Sequence, residues 1–297
     1  MVKLEQDLYS NINIMGKFMN YKNTLLGIML ALSLLPTKSF SESISNNDNS
    51  QNFKLYISGQ YKPGVPKFNN FSAKETNVKT QKLLGLLSGT SRKIDKYKDF
   101  SNTYIPDFQD SSTGFGAAVG YISYKGIRFE IESSYEEFQV NIHDNCEGTI
   151  EPCRYFALAR SVGRRGWPDQ NNYTVMKNTG LSMTSVMFNG CYNIMSNKLE
   201  ISPYICIGIG GDFIDFFDST HIKLAYQGKL GISYSLLPDV TLFVDGYYHR
   251  IANNQFKNLN VLQPVELKYE PKITSATATM NVTYFGGEVG IRFIFNS

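Results

Sequence analysis

The residues able to do chemistry in this chain are spaced two apart. Arg128, Glu130 and Glu132 share one parity of an apolar run, and Lys54 opens an earlier one. Lys223 with Lys229, Asp245, and Glu288 with Arg292 repeat the arrangement further on. Alternate side chains of an extended strand share a face, so each run collects its ions on one side and its apolar residues on the other. Such ions can pair with one another or line a narrow water path. They do not make a reaction centre. His143, His221 and His249 are scattered, no CxxC spacing occurs, and Gly208-Ile209-Gly210-Gly211 lies inside a strand pattern, not at a strand-to-helix turn. Spacing gives no support to a triad of His221, Asp245 and Ser233. The chain reads as a non-enzyme with no cofactor and no metal.

The four cysteines fall into two pairs. Cys146 and Cys153 bracket a stretch of a long connector, and Cys191 and Cys206 stand almost symmetrically about a short turn, on the ionic parity. For Cys146 and Cys153, a disulfide or two thiols, export to an oxidising compartment favours the bridge; for Cys191 and Cys206 a cross-strand bridge and two thiols both stay open. Export itself is legible. Met19-Asn20-Tyr21-Lys22, the apolar run from Thr24 to Leu35 and the exit Ser39-Phe40-Ser41 have the order of a secretory signal peptide. Residues 1–41 are read as that signal, cleaved after Ser41, with translation starting at Met15 or Met19; residues 42–52 are a polar lead. A net charge of +3 lacks the basic excess that nucleic acid requires. Past residue 40 no apolar run reaches the ~18 residues of a spanning helix, so any membrane crossing is by strands.

Eight alternating runs position the ions: about 53–62, 113–123, 126–138, 180–194, 200–213, 222–236, 240–250 and 282–295. Their length suits bilayer crossing at a tilt, which takes about 9–11 residues. The connectors 63–112, 140–179 and 252–280 are long and the others short, the layout of a barrel with long extracellular loops and short periplasmic turns. The fold expected is all-β, an antiparallel transmembrane β-barrel of eight strands. Val265-Glu266-Leu267-Lys268-Tyr269 leaves ten open. A lipid-facing Arg or Lys would cost roughly 2–4 kcal/mol near the midplane, so the ions face the lumen. Tyr61, Tyr121, Tyr135, Tyr192, Tyr226, Tyr234 and Tyr248 fall on the outward parity and suit interfacial girdles. Upstream of Gly286-Gly287 the apolar residues Ala276, Ala278, Met280, Val282 and Tyr284 take the opposite register. Either a bulge switches the facing there or the upstream part leaves the membrane as a hairpin arm.

Three separated segments, LYISGQYKPGVPKFNNFSAKET (55–76), RYFALAR (154–160) and YFGGEVGIRFIF (284–295), resemble the major surface antigen family of Ehrlichia- and Anaplasma-type bacteria. The resemblance implies an outer-membrane barrel in a multi-copy family of immunodominant surface proteins, some of which act as porins, with antigenic variation concentrated in the loops. It carries over no catalytic residue. The expected function is a surface antigen passing small hydrophilic solutes through a polar lumen; the alternative is a closed barrel whose loops meet host-cell surface molecules. Expected partners are outer-membrane lipid, small hydrophilic solutes and, in the alternative, host-cell molecules.

Overall fold

The computed structural model describes residues 53–295 except 90, 124, 143–145, 147–150 and 195–200. The expected signal peptide, cleavage site, alternative starts, polar lead, His143 and the turn at 195–198 lie outside the described residues. Among these, sixteen strands occur in the order β1 (Phe53–Tyr61), β2 (Gly64–Pro66), β3 (Asn69–Glu75), β4 (Lys82–Leu86), β5 (Phe100–Thr103), β6 (Phe115–Ser123), β7 (Ile127–Phe138), β8 (Tyr155–Ala159), β9 (Tyr173–Lys177), β10 (Leu181–Asn193), β11 (Ile201–Phe216), β12 (Ser219–Leu237), β13 (Val240–Ile251), β14 (Gln255–Leu259), β15 (Ala276–Asn281) and β16 (Thr283–Phe295).

Eight of them close on themselves in the order β1-β6-β7-β10-β11-β12-β13-β16, with β16 pairing back onto β1 from Leu55↔Phe295 to Tyr61↔Val289. The result is an antiparallel transmembrane barrel, and Val265–Tyr269 adds no strand to it. Period-2 alternation dictates its two surfaces. Ile205, Ile207, Ile209, Leu230, Ile232 and Val244 all point outward and exposed, while Arg128, Glu132, Lys229 and Glu288 point inward and are buried. An apolar belt of this extent marks a membrane-facing surface. The seven girdle tyrosines face outward, Tyr135 half-buried and the rest exposed. Small inward residues on β6 make room for large neighbours: a Cβ at Gly120 would sit 2.7 Å from the Tyr56 phenol.

Strand β2 pairs with the upper part of β16, and the remaining seven strands build a lobe over one mouth. One sheet runs β14-β15-β3 and a second runs β5-β4-β8-β9. The long connectors have no sustained alternation in sequence, and the structure gives them short strands: β3 finds β15 some two hundred residues away, Ala73 opposite Ala278. The stretch from Lys82 to Leu86 is one of these strands, with Leu84 buried. The β11–β12 hairpin is longer than its alternation predicts. It overshoots the barrel and turns on Phe217 and Asp218, both at positive φ (51° and 55°). A left-handed phenylalanine is strained. It is held because Phe217 is buried against Phe71, Phe156 and Phe216.

No bulge interrupts Gly286-Gly287. The register runs unbroken from Val240↔Phe293 to Arg250↔Thr283, and the even-numbered side chains from Ala276 to Arg292 stay on the inner side. What changes is the interior, polar within the barrel and apolar above it. The upstream part is the hairpin arm, β15, paired with β14 and β3.

Candidate functional site: the barrel interior and the lobe that caps it

The lower and middle interior is a network of ions. Glu132 on β7 is its hub. Lys62 Nζ donates to its Oε1 at 2.7 Å, and Lys229 Nζ lies 2.6 Å from its Oε2. The amides of Asn189 and Gln227 donate to the same Oε2 at 2.8 and 3.1 Å. Lys229 also donates to Glu288 at 2.6 Å, and β13–β16 pairing sets Glu288 beside Asp245. Tyr204 donates to Asp245 and Tyr56 to Glu130. Below them Arg292 stands 5.0 Å from the Tyr56 ring and 5.1 Å from Phe243, and Arg128 stands 4.8 Å from Tyr204. Higher up, His249 Nε2 and Asp212 Oδ2 are 2.9 Å apart, and the His249 ring stacks on Tyr284 at 4.7 Å.

Charges this deep are tolerable only when paired and hydrogen-bonded, and removal of one partner typically costs 3–5 kcal/mol. Around Arg128, Glu130, Lys229, Asp245, Glu288 and Arg292 the remaining cavity is about 10 Å³, room for one water at most. Some buried polar atoms there, Arg128 Nε, Asp245 Oδ1 and Arg292 Nε, have no hydrogen-bond partner, although Arg128 Nε lies 3.8 Å from Glu130.

Seven of the ionic residues singled out by alternation thus meet inside the barrel: Arg128, Glu130, Glu132, Lys229, Asp245, Glu288 and Arg292. Two do not reach the interior. Lys54 has the inward parity but is exposed near the start of β1. Lys223 is half-buried at the top of β12, where its ammonium donates to the carbonyl of Gln255 and lies 4.9 Å over Phe256. Parity gives the face of a strand but not the depth along it. The interior also uses Tyr56, Tyr204, Asn189 and Gln227, which alternation placed on the polar side without signalling a role. The imagined triad is dispersed. His221 contacts the carbonyl of Lys257 at 2.9 Å, Ser233 donates to the carbonyl of Ser202 at 3.2 Å, and Asp245 takes Tyr204.

Both cysteine pairs are joined, Cys146 to Cys153 with Cα atoms 5.2 Å apart and Cys191 to Cys206 with Cα atoms 4.0 Å apart. The second lies in the interior beside Arg128, whose Nη2 is 3.2 Å from the Cys206 sulfur.

Above the ions the interior turns apolar without a gap. Met183, Ile214, Tyr247 and Tyr284 at the top of the barrel join Phe156, Phe216, Phe217 and Phe256 in one core. Tyr104 and Phe156 stack at 4.3 Å. Burial pushes the Tyr104 and Tyr173 phenols up, so both stay protonated at neutral pH. A buried clamp ties three connectors together. Arg160 pairs with Glu75 at 2.8 Å and donates to the carbonyls of Tyr269 and Pro271, while Thr174 donates to Glu75 at 2.9 Å.

The segments that hold this assembly are those that carry the resemblance: Glu75 lies next to the end of the first, Arg160 ends the second, and Glu288 and Arg292 lie in the third. A family model described as "Surface antigen" matches residues 46–295. The chain belongs to this surface antigen family. Within it, Major surface antigen 4 of Anaplasma marginale is 30% identical over 291 residues, spanning 94% of this chain and all of that one. Among solved structures this surface antigen is similar to Neisserial surface protein A, with 10% identity, TM-score 0.37, and 82% of this chain and 97% of that one covered. It is also similar to a major outer membrane protein of Thermus thermophilus, with 9% identity, TM-score 0.40, and 82% and 100% covered.

Proposed function

We propose that the protein is an outer-membrane surface antigen whose barrel is a closed anchor and whose lobe is the working part, presented outside the cell for contact with host-surface molecules. The observation that carries this reading is the filled interior. Glu132 and its four donors occupy the middle, and the core joining Tyr284 to Phe217 occupies the top. Eight strands enclose a space that side chains alone can fill. A lobe with a second core of its own, built on Leu84, Phe100, Tyr173 and Val175, is more than a turn between strands, and a folded surface is what recognition needs. The test is conductance in planar bilayers. Folded protein, verified by heat-modifiable migration, is expected to give no discrete steps, and regular steps from intact protein would overturn the closed anchor.

A second reading, passive diffusion of small hydrophilic solutes, is favoured by the buried polar atoms of Arg128, Asp245 and Arg292 that lack a hydrogen bond and are chemically suited to water. It requires the lobe to lift and the ions to part. Conductance that appears only after the lobe is excised would assign the path to the barrel and the gate to the lobe.

A further inference from the structure

The end of the lobe remote from the barrel carries exposed cations, several of them without an ion pair among the described residues although Asp95 and Asp169 share the same segments. Strand β3 enters the lobe at Asn69 and finishes at Glu75, where Arg160 is clamped. Beyond Arg160 the β8–β9 hairpin projects Arg164 and Arg165, both exposed. Beside it runs the segment 91–99, with Lys93, Lys96 and Lys98 exposed. The Tyr173 hydroxyl, donating to the carbonyl of Ile94 at 3.1 Å, joins hairpin and segment.

Trp167 lies between them, with the Arg165 guanidinium 5.5 Å and the Lys98 ammonium 5.9 Å from its ring. Arg92 is occupied by Asp99 at 2.9 Å, whereas Lys98, Arg164 and Arg165 have no ion pair among the described residues. An aromatic face attracts a cation without cancelling its charge. The tip therefore holds positive charges in fixed places and leaves them available. The chain as a whole carries only +3, so this concentration is local.

We infer that this tip binds a sulfated polysaccharide. Separate cations on two adjoining segments match discrete anions strung along a flexible chain, and a guanidinium fork matches a sulfate's paired oxygens. Duplex nucleic acid calls for a longer basic stripe than two short segments supply. A flat bilayer would meet the projecting hairpin alone. The choice of an extracellular polymer rests on the proposed display of the lobe outside the cell.

Trp167 is the chain's single tryptophan, so its fluorescence reports on this site alone. Full-length protein refolded in detergent is titrated with heparin, with desulfated heparin, with a DNA oligonucleotide and with phosphatidylserine vesicles. The expected result is a saturable change with heparin that weakens steeply with salt, and weaker responses to the other three. Arg164→Ala with Arg165→Ala should lower heparin affinity by roughly tenfold or more, with heat-modifiable migration unchanged because both side chains are exposed. Lys257→Ala, exposed elsewhere on the lobe, should bind as the parent does. The inference is overturned by any of four outcomes: no saturable change, equal response to desulfated heparin, tighter binding of DNA or vesicles, or parental affinity in the double variant. Location is tested apart from binding. Arg164→Cys should react with a membrane-impermeant maleimide on intact cells. Failure to react removes the extracellular partner whatever the titration shows, whereas labelling with no heparin response removes the glycan and leaves the display intact.

Discussion

The barrel and the lobe are built from the same strand chemistry turned inside out. In the barrel Glu132 and Lys229 face in and Ile207 and Leu230 face out; in the lobe Phe156 and Phe256 face in and Lys257 faces out. The even-numbered residues of β15 and β16 pass through both regimes on one side, from Ala276 and Met280 to Glu288 and Arg292. What decides the polarity of an interior is the medium outside it. Lipid asks for an apolar exterior and leaves the polar residues to satisfy each other within; water asks for the reverse.

The comparison breaks most easily at the hubs. Glu132→Ala leaves Lys229 to Glu288 alone and Lys62 to the more distant Glu136, 3.6 Å away, and is expected to cost about 3–5 kcal/mol, read as loss of heat-modifiable folding in detergent. Arg160→Ala strands the buried Glu75 in the lobe with a similar cost of about 3–5 kcal/mol. It should open the lobe to protease while the barrel still migrates as folded, and joint loss of both would show that the two regions fold as one. Phe256→Ala should cost about 3–5 kcal/mol and stay confined to the lobe in the same assay. Two isoleucines sharpen the contrast further. Ile207 and Ile273 are exposed to 74% and 88%. Ile207→Arg on the belt should cost roughly 2–4 kcal/mol. Ile273→Arg on the lobe should change stability by at most ~0.5 kcal/mol. Equal effects at the two sites, measured by urea titration in micelles, would remove the distinction between lipid-facing and water-facing exposure.

The barrel was legible because its signal repeats over long runs. Val240 to Arg250 alternates in burial throughout, with an unbroken register against β16 and, against β12, a single shift near Val240. The lobe was not, for two physical reasons. A strand such as Phe100–Thr103 is too short to show a period, and the pairing of Ala73 with Ala278 is information held by neither segment alone. The apolar parity of Ala276 to Tyr284 was visible but ambiguous, since the same pattern serves a lipid-facing or a core-facing strand. The ionic interior followed from parity for Arg128 through Arg292. Lys54 and Lys223 escaped because depth along a strand depends on where the barrel ends. Tyr56 and Tyr204 were hidden by their type: an aromatic on a polar face gives no hint that its hydroxyl will meet Glu130 or Asp245.

The sheet made by β3, β14 and β15 fixes what an antibody can see. Neighbours on its outer surface, such as Lys74 and Thr277, come from segments some two hundred residues apart in the sequence. An epitope there is a shape assembled by folding, and no linear peptide from 63–112 or 252–280 reproduces it. Sera raised against such peptides would recognise the boiled protein and miss the intact cell.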